Sequence, residues 1–277
     1  MLLISIILSI NDRNTTNQHT NHQFMFRAEL RKILPYRTVW IILLLFVVLL
    51  ALFVSAGGSV TLNGQQVGAT LYTFPGLWQK LTYVASYFNL LLGILLIILI
   101  TDEFQFRTFR QQIIDGSSVA ELLQNKLLVS VALMVFGMLT VLGLGFYFGL
   151  TRAAETANKA AEGITGIALY GVQVLGLLSM AALVAVLVRR SGPGILLFLL
   201  YAWVAEPLLR FSLPDSLDRF LPAKVFNSLT PLPGQEMLDT VTGPSSALLP
   251  TEALPLALVY TALFWGLSYL VLRNRDL

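Results

Sequence analysis

The sequence predicts an all-α integral membrane protein with six transmembrane helices, and three observations carry that prediction. Of its 277 residues, 56% are hydrophobic and only 12% are charged, whereas a soluble domain carries about 25% charge. Mean hydropathy is +0.75. The apolar residues also gather into runs close to the ~20 residues that a helix needs to cross the hydrocarbon core. Inside lipid such a run satisfies its own backbone only as a helix or in a closed barrel, and runs of this length select the helix.

The runs fall at 39–55, 83–100, 127–148, 167–188, 195–209 and 254–272. The fifth is the weakest. It follows Gly192-Pro193-Gly194, which is expected to break a helix, and it carries Glu206-Pro207, so it is expected to end early or bend.

Orientation follows from the distribution of Lys and Arg on alternate sides. With the N-terminus inside, the inner side holds Arg13, Arg27, Arg31, Lys32, Arg37, Arg107, Arg110, Lys126, Arg189, Arg190, Arg273 and Arg275. The outer side holds about half as many: Lys80, Arg152, Lys159, Arg210, Arg219 and Lys224. Both termini are therefore expected in the cytoplasm. The short Arg189-Arg190 turn carries the most weight, because short loops dominate the rule. The net charge of +3 is spread over the ends of apolar runs and forms no patch, so nucleic acid is not an expected partner.

Residues 1–22 join a short apolar stretch to an Asn- and Thr-rich tract. The stretch is too short to span, and it lacks the positive n-region and cleavage site of a signal peptide. Residues 1–24 are expected to be a disordered extension, with Met25 the alternative natural start, before a six-span domain at 25–277. From Met25 to Arg37, Phe26, Leu30, Ile33 and Leu34 fall at helical spacing while Arg27, Arg31 and Lys32 lie elsewhere on the wheel. That pattern predicts an interfacial helix ended by Pro35, with Tyr36 and Trp40 at headgroup level. A plain extension of the first span is the simpler alternative.

The segment between spans two and three is the most structured of the inner pieces. Phe106, Phe109 and Ile113 are expected to line one helical face, and Asp115-Gly116 supplies a turn or C-cap. Ser118 followed by Glu121 matches a capping box for a second helix running through Lys126 into the third span. Such an exposed helix–turn–helix suits docking of a soluble partner better than a mere connection, which needs fewer residues. On the outer side, Pro207, Pro214, Pro222, Pro231, Pro233, Pro244 and Pro250 interrupt a long segment before span six. Its apolar patches at 217–221 and 223–229 predict short helices in the outer leaflet or a small cap.

Enzyme chemistry has little to work with. Cysteine is absent, which excludes disulfides, thiolate metal sites and a cysteine nucleophile. Both histidines, His19 and His22, lie in the N-terminal tract, away from any intramembrane dyad or proton relay. No phosphate-binding loop occurs, and the G-x-G pairs at Gly143 and Gly192 lack a strand–turn–helix setting. No catalytic residue, metal or cofactor is expected. Glu206 is the one carboxylate inside or at the edge of an apolar run, where burial costs several kcal/mol unless it is paired or protonated. Arg210, four residues on, pairs with it if the helix continues past Pro207, so the two form either a structural pair or a functional one. Gln173 either lines a pathway or bonds a neighbouring helix. Gly145 and Gly149 form a G-x-x-x-G suited to close helix packing or a dimer contact.

The run Glu103, Thr108-Phe109-Arg110-Gln111, Ile113-Ile114-Asp115-Gly116 and Lys126 resembles the signature of ABC-2 type permeases, the membrane subunits of ATP-binding-cassette exporters. The resemblance extends in topology over most of 25–277. It departs where Gly116-Ser117-Ser118 replaces a frequent Pro-x-x-Arg. It implies a transporter of two permease copies, identical or related, and two separate cytosolic ATPases, in a bacterial inner membrane. By the same resemblance Ile114, Asp115, Gly116, Ser117, Ser118 and Glu121 form a coupling helix that contacts the ATPase, and the helix at 25–34 lies beside it. Glu103, Thr108, Arg110 and Lys126 carry the family motif. The alternative from another class is a membrane sensor or scaffold that docks a cytosolic partner and transports nothing.

Overall fold

The computed structural model describes residues 35–58, 61–62, 65–66, 71–116, 118–235 and 247–274. The expected interfacial helix at 25–34 and the extension at 1–24 lie outside the described residues. The chain divides into two compact units, Met1–Ile41 and Ile42–Leu277. In the first, the described residues 35–41 form the opening turn of a helix, where the Val39 N–H donates to the Tyr36 carbonyl at 3.0 Å.

Among the described residues six helices are long and apolar enough to cross a membrane, and the protein is an all-α, multi-pass membrane fold. Helix α1 is Arg37–Gly57, α2 Gly76–Gln105, α3 Thr108–Ile114, α4 Val119–Arg152 and α5 Thr165–Val188. The fifth span combines α6, Ser191–Leu200, a π-turn at Tyr201–Ala205, and α7, Glu206–Ser212. Among the described residues the short helices α8, Asp215–Asp218, and α9, Pro222–Ser228, precede the last span, α10 Pro250–Asn274. A two-residue antiparallel ladder pairs Thr61 with Gln66 and Leu62 with Gln65. The spanning helices overrun the apolar runs because hydropathy marks only their lipid-buried portion. The 34 residues of α4 reach about 50 Å at ~1.5 Å per residue, well beyond the ~30 Å hydrocarbon core.

The fifth span corrects one expectation. Gly192-Pro193-Gly194 does not break the helix but lies in its first turn, where a proline's missing N–H is one of the donors left unpaired anyway. The break sits just before it, at Arg189 (φ 57°) and the extended Arg190. The helix does not end at Glu206-Pro207, but its hydrogen bonding changes there, and the change has a cause. Pro207 offers no N–H to the carbonyl of residue 203 and its ring crowds that carbonyl. The helix widens by one residue there, the Glu206 N–H reaching back to the Tyr201 carbonyl, and then continues to residue 210 as a span of 20 residues.

Helices α2 and α5 are the inner pair. Their apolar windows are 56% and 67% buried, against 17% for α1, the fifth span and α10. The outer helices turn Leu44, Leu52, Leu196, Leu258 and Val259 outward. In lipid the hydrophobic effect does not drive helix pairing, so small residues that let neighbours approach decide where contacts form. A Cβ on Gly93 would lie 2.6 Å from Phe198 of α6, and one on Gly176 would lie 2.3 Å from Phe226 of α9. The Gly145/Gly149 pair receives the rings that open α2: a Cβ would meet Trp78 at 2.3 Å and Phe74 at 2.4 Å. The motif thus works as a close-packing device within the chain.

Two ends of the bundle follow from the contacts. At one, Lys126 of α4 reaches Glu103 of α2, and Arg189 of the α5–α6 turn lies over the Phe104 ring. At the other, the Phe74 N–H donates to the Thr156 hydroxyl at 3.1 Å and the Trp78 indole N–H to the Ala160 carbonyl at 2.8 Å. Arg107, Arg110, Lys126, Arg189 and Arg190 share the first end. A Gly145→Ala substitution is expected to destabilise the detergent-solubilised chain by about 1–3 kcal/mol through overpacking against Trp78. Gly143, whose added Cβ meets nothing, should instead gain up to about 1 kcal/mol as alanine. Thermal unfolding of the two variants compares them directly, and equal effects would remove Trp78 as the cause.

Candidate functional site

The first end of the bundle carries the motif residues. Helix α2 stops at Gln105, and the chain reverses through Arg107 in the left-handed region, φ 58°, which a non-glycine residue seldom adopts. The reversal is held by the Phe106 N–H to the Asp102 carbonyl at 2.8 Å, the Arg107 N–H to the Phe104 carbonyl at 3.2 Å and the Thr108 hydroxyl to the Glu103 carbonyl at 3.1 Å. Phe109 is thereby folded back onto Phe104, the rings stacked at 4.5 Å and 13°. Beneath them Lys126 Nζ meets Glu103 Oε2 at 2.7 Å, the two side chains only 5% and 12% exposed. The Arg189 guanidinium also lies over the Phe104 ring, 5.2 Å from its centroid.

This geometry sorts the predicted residues. Glu103, Thr108 and Lys126 come together as the base of the element. Arg110 does not join them; it is exposed and shares a small surface pocket with Arg107, Phe104 and Phe109. Phe106 is a correction. Expected on one face with Phe109 and Ile113, it is 73% exposed while Phe109 is buried, because the left-handed Arg107 separates Phe106 from helix α3.

The turn beyond α3 forms as the sequence predicts. The Asp115 and Gly116 N–H groups bond the Gln111 and Ile113 carbonyls, with Gly116 at φ 95°, a conformation that suits glycine alone. The capping box closes both ways: the Ser118 N–H donates to Glu121 Oε2 at 2.8 Å and the Glu121 N–H to Ser118 Oγ at 3.2 Å. Ser117 lies outside the described residues. Asp115, Gly116 and Ser118 are exposed, as is Ile114 at 69%. Beside the capping box an apolar side chain is thus exposed among polar ones, on a base anchored by the Glu103–Lys126 ion pair.

At the opposite end Glu206 is wholly buried. The helix does continue past Pro207, and Arg210 donates to Glu206 Oε1 at 2.9 Å. The carboxylate also caps α9. Pro222 opens that helix without an N–H, so its first free donors are Ala223 and Lys224, and both bond Glu206, at 2.8 and 2.6 Å. The Lys224 ammonium pairs in turn with Asp218. The Arg210 guanidinium and the α9 backbone thus share the Glu206 carboxylate. Gln173 bonds its neighbours as one of its readings expected: it accepts from the Thr230 hydroxyl at 3.0 Å and donates to Asn227 at 3.4 Å. It also lines a cavity of about 290 Å3 between α2, α5, the π-turn and α9.

Asn89 is the polar residue that sequence reasoning missed. It is buried in the middle of α2, accepts from the Tyr170 hydroxyl at 2.6 Å, and lines the same cavity. Its signal was present as the one amide in an apolar run of eighteen positions, 83–100, where a polar side chain is costly and so has a reason to be there.

Glu206→Ala is expected to cost about 3–5 kcal/mol, because a buried pair is broken and two backbone donors lose their acceptor. Arg210→Ala should cost clearly less, since that side chain is 30% exposed. Unfolding of solubilised variants measures both, and equal losses would reduce Glu206 to a simple ion-pair partner. At the other end, Lys126→Met should cost a similar ~3–5 kcal/mol, while the double change Glu103→Leu with Lys126→Met recovers most of it, as a buried pair replaced by apolar groups often does. Additive losses in the double variant would count against the pair as a closed unit.

The chain matches no protein-family model and no curated protein.

Proposed function

We propose that the chain is the permease subunit of an ABC exporter of the ABC-2 type, a membrane subunit that acts with a second permease copy and separate cytosolic ATPases. The observation that carries the reading is the capped turn after span two, with its exposed Ile114, standing on the buried Glu103–Lys126 pair. A docking element that transmits motion needs a rigid connection to the spans it moves, because only an element with discrete arrangements passes on a bias from a bound partner. Here α4 continues without interruption from the capping box into the membrane, and α3 is tied to α2 through the stacked Phe104 and Phe109 rings. The ATPase would engage Ile114, Asp115, Gly116, Ser117, Ser118 and Glu121, and its closure would favour one arrangement of the two permeases over the other.

In this reading the Arg- and Lys-rich end of the bundle faces the cytoplasm of a bacterial cell, both termini lie on that side, and α8 and α9 lie on the outer side. The clustering of Arg107, Arg110, Lys126, Arg189 and Arg190 supports that direction through the positive-inside rule. Hydrolysis belongs to the partner.

The test uses the full chain purified from native membranes. An ATPase is expected to co-purify, and the chain freed of it should hydrolyse no ATP. Ile114→Glu, a change at an exposed position, should lower ATPase recovery at least tenfold while leaving the melting temperature of the chain unchanged. Undiminished recovery would remove the turn as the docking element, and a partner without ATPase activity would favour a sensor or scaffold.

A further inference from the structure

The cavity beside α9 has a mixed polar and apolar lining without charged side chains among its described residues. Its volume of about 290 Å3 is at the lower end for small-molecule sites, which start near 300 Å3. At ~30 Å3 per water it accommodates about ten waters or one ring-sized molecule. Polar side chains within a membrane bundle are costly unless bonded, yet this wall gathers Asn89, Gln173, Asn227, Thr230 and Ser86. Their mutual bonds do not exhaust them. Asn89 is 1% exposed and gives its carbonyl oxygen to Tyr170, and its amide nitrogen has no partner among the described residues. Tyr83 and Tyr87 share one hydrogen bond at 2.7 Å, which leaves the second hydroxyl proton to donate elsewhere. Ser86 donates to the Tyr83 carbonyl and keeps its own oxygen as an acceptor.

The wall thus mixes donors and acceptors and contains no Asp, Glu, Lys, Arg or His among its described residues. The nearby Glu206 does not alter this, because Ala223, Lys224 and Arg210 already take up its carboxylate. A charged ligand would meet no counter-charge, and an apolar one would leave the amide of Asn89 unsatisfied. The remaining surface is apolar, part aliphatic and part aromatic: Phe226 is buried in the wall, and Tyr87 and Trp203 are exposed on the flanks of their spans. A molecule whose rim carries hydroxyls and whose faces are C–H satisfies both halves of this lining, the hydroxyls bonding amides and phenols and the faces packing on rings. We infer that this cavity is a binding site for a neutral polyhydroxyl ring, as a free sugar or as the headgroup of a glycolipid. The inference is independent of the exporter reading, because the site is complete within one chain.

The full chain, without any ATPase, is reconstituted in phosphatidylcholine nanodiscs and titrated with radiolabelled octyl glucoside, with free glucose and with octyl phosphocholine as a chain-matched zwitterionic control. Saturable binding of the glucoside is expected, weakened at least tenfold by Asn89→Leu and, separately, by Asn227→Leu. The second variant alters an exposed side chain and keeps the test valid if the first fails to fold. Competition by free glucose would identify a soluble-sugar site; glucoside binding that glucose does not displace would identify a lipid-borne headgroup. Absence of saturable binding to both sugars, equal displacement by octyl phosphocholine, or unchanged binding in both variants would overturn the inference.

Discussion

The contact of α5 with α2 is the constraint on which the other helices depend. Tyr170 and Asn89 meet at 2.6 Å between them, with both side chains buried. Packing between helices in lipid gains nothing from expelling water, so it rests on close fit and on polar groups that find partners only in one register. A slip of α5 along α2 would leave a buried phenol without an acceptor, at a cost of about 1–3 kcal/mol. With that register set, Gly93 and Gly137 of the neighbouring faces admit Phe198 and the Tyr170 ring, and the outer helices find seats on the pair.

Two carboxylates extend the same physics to the segments that do not span. Glu103 holds Lys126 where α4 leaves the bundle, and Glu206 holds the first N–H groups of α9 where that helix enters it. Glu206 fastens the short α9 to the fifth span, whereas Glu103 joins the long helices α2 and α4, and the Thr108 bond and the stacked rings fold the short α3 onto that base. The consequences differ with what surrounds them. Around Glu103 the attached helix is exposed and ends in a capped turn, so the anchor leaves a surface available to a partner. Around Glu206 the attached helix is buried, with Val225, Phe226 and Leu229 packed on Ala253 and Ala257 of the last span. There the anchor completes a wall.

Local features were legible in the sequence because local chemistry decides them. Ser118 and Glu121 form their box since the bond runs between residues three apart, and Gly116 takes a positive φ that few other residues tolerate. Arg210 meets Glu206 through the four-residue helical repeat. What misled was a local rule applied without its position: Gly192-Pro193-Gly194 breaks a helix interior but opens one readily. Phe106 was placed with Phe109 by spacing alone, which presumes an unbroken helix, and a single left-handed residue at Arg107 cancels the presumption.

By itself the sequence determined the membrane fold, the number of spans and the capped turn, since length, hydropathy and short-range bonds suffice for these. The tertiary structure alone decided that Glu206 caps a helix seventeen residues away, that Gly145 and Gly149 receive Trp78 and Phe74, and that Asn89 and Gln173 share one cavity. Each of these joins residues from different helices, and their meeting depends on how the helices turn about their axes, which hydropathy leaves undetermined whenever a helix is apolar on every side.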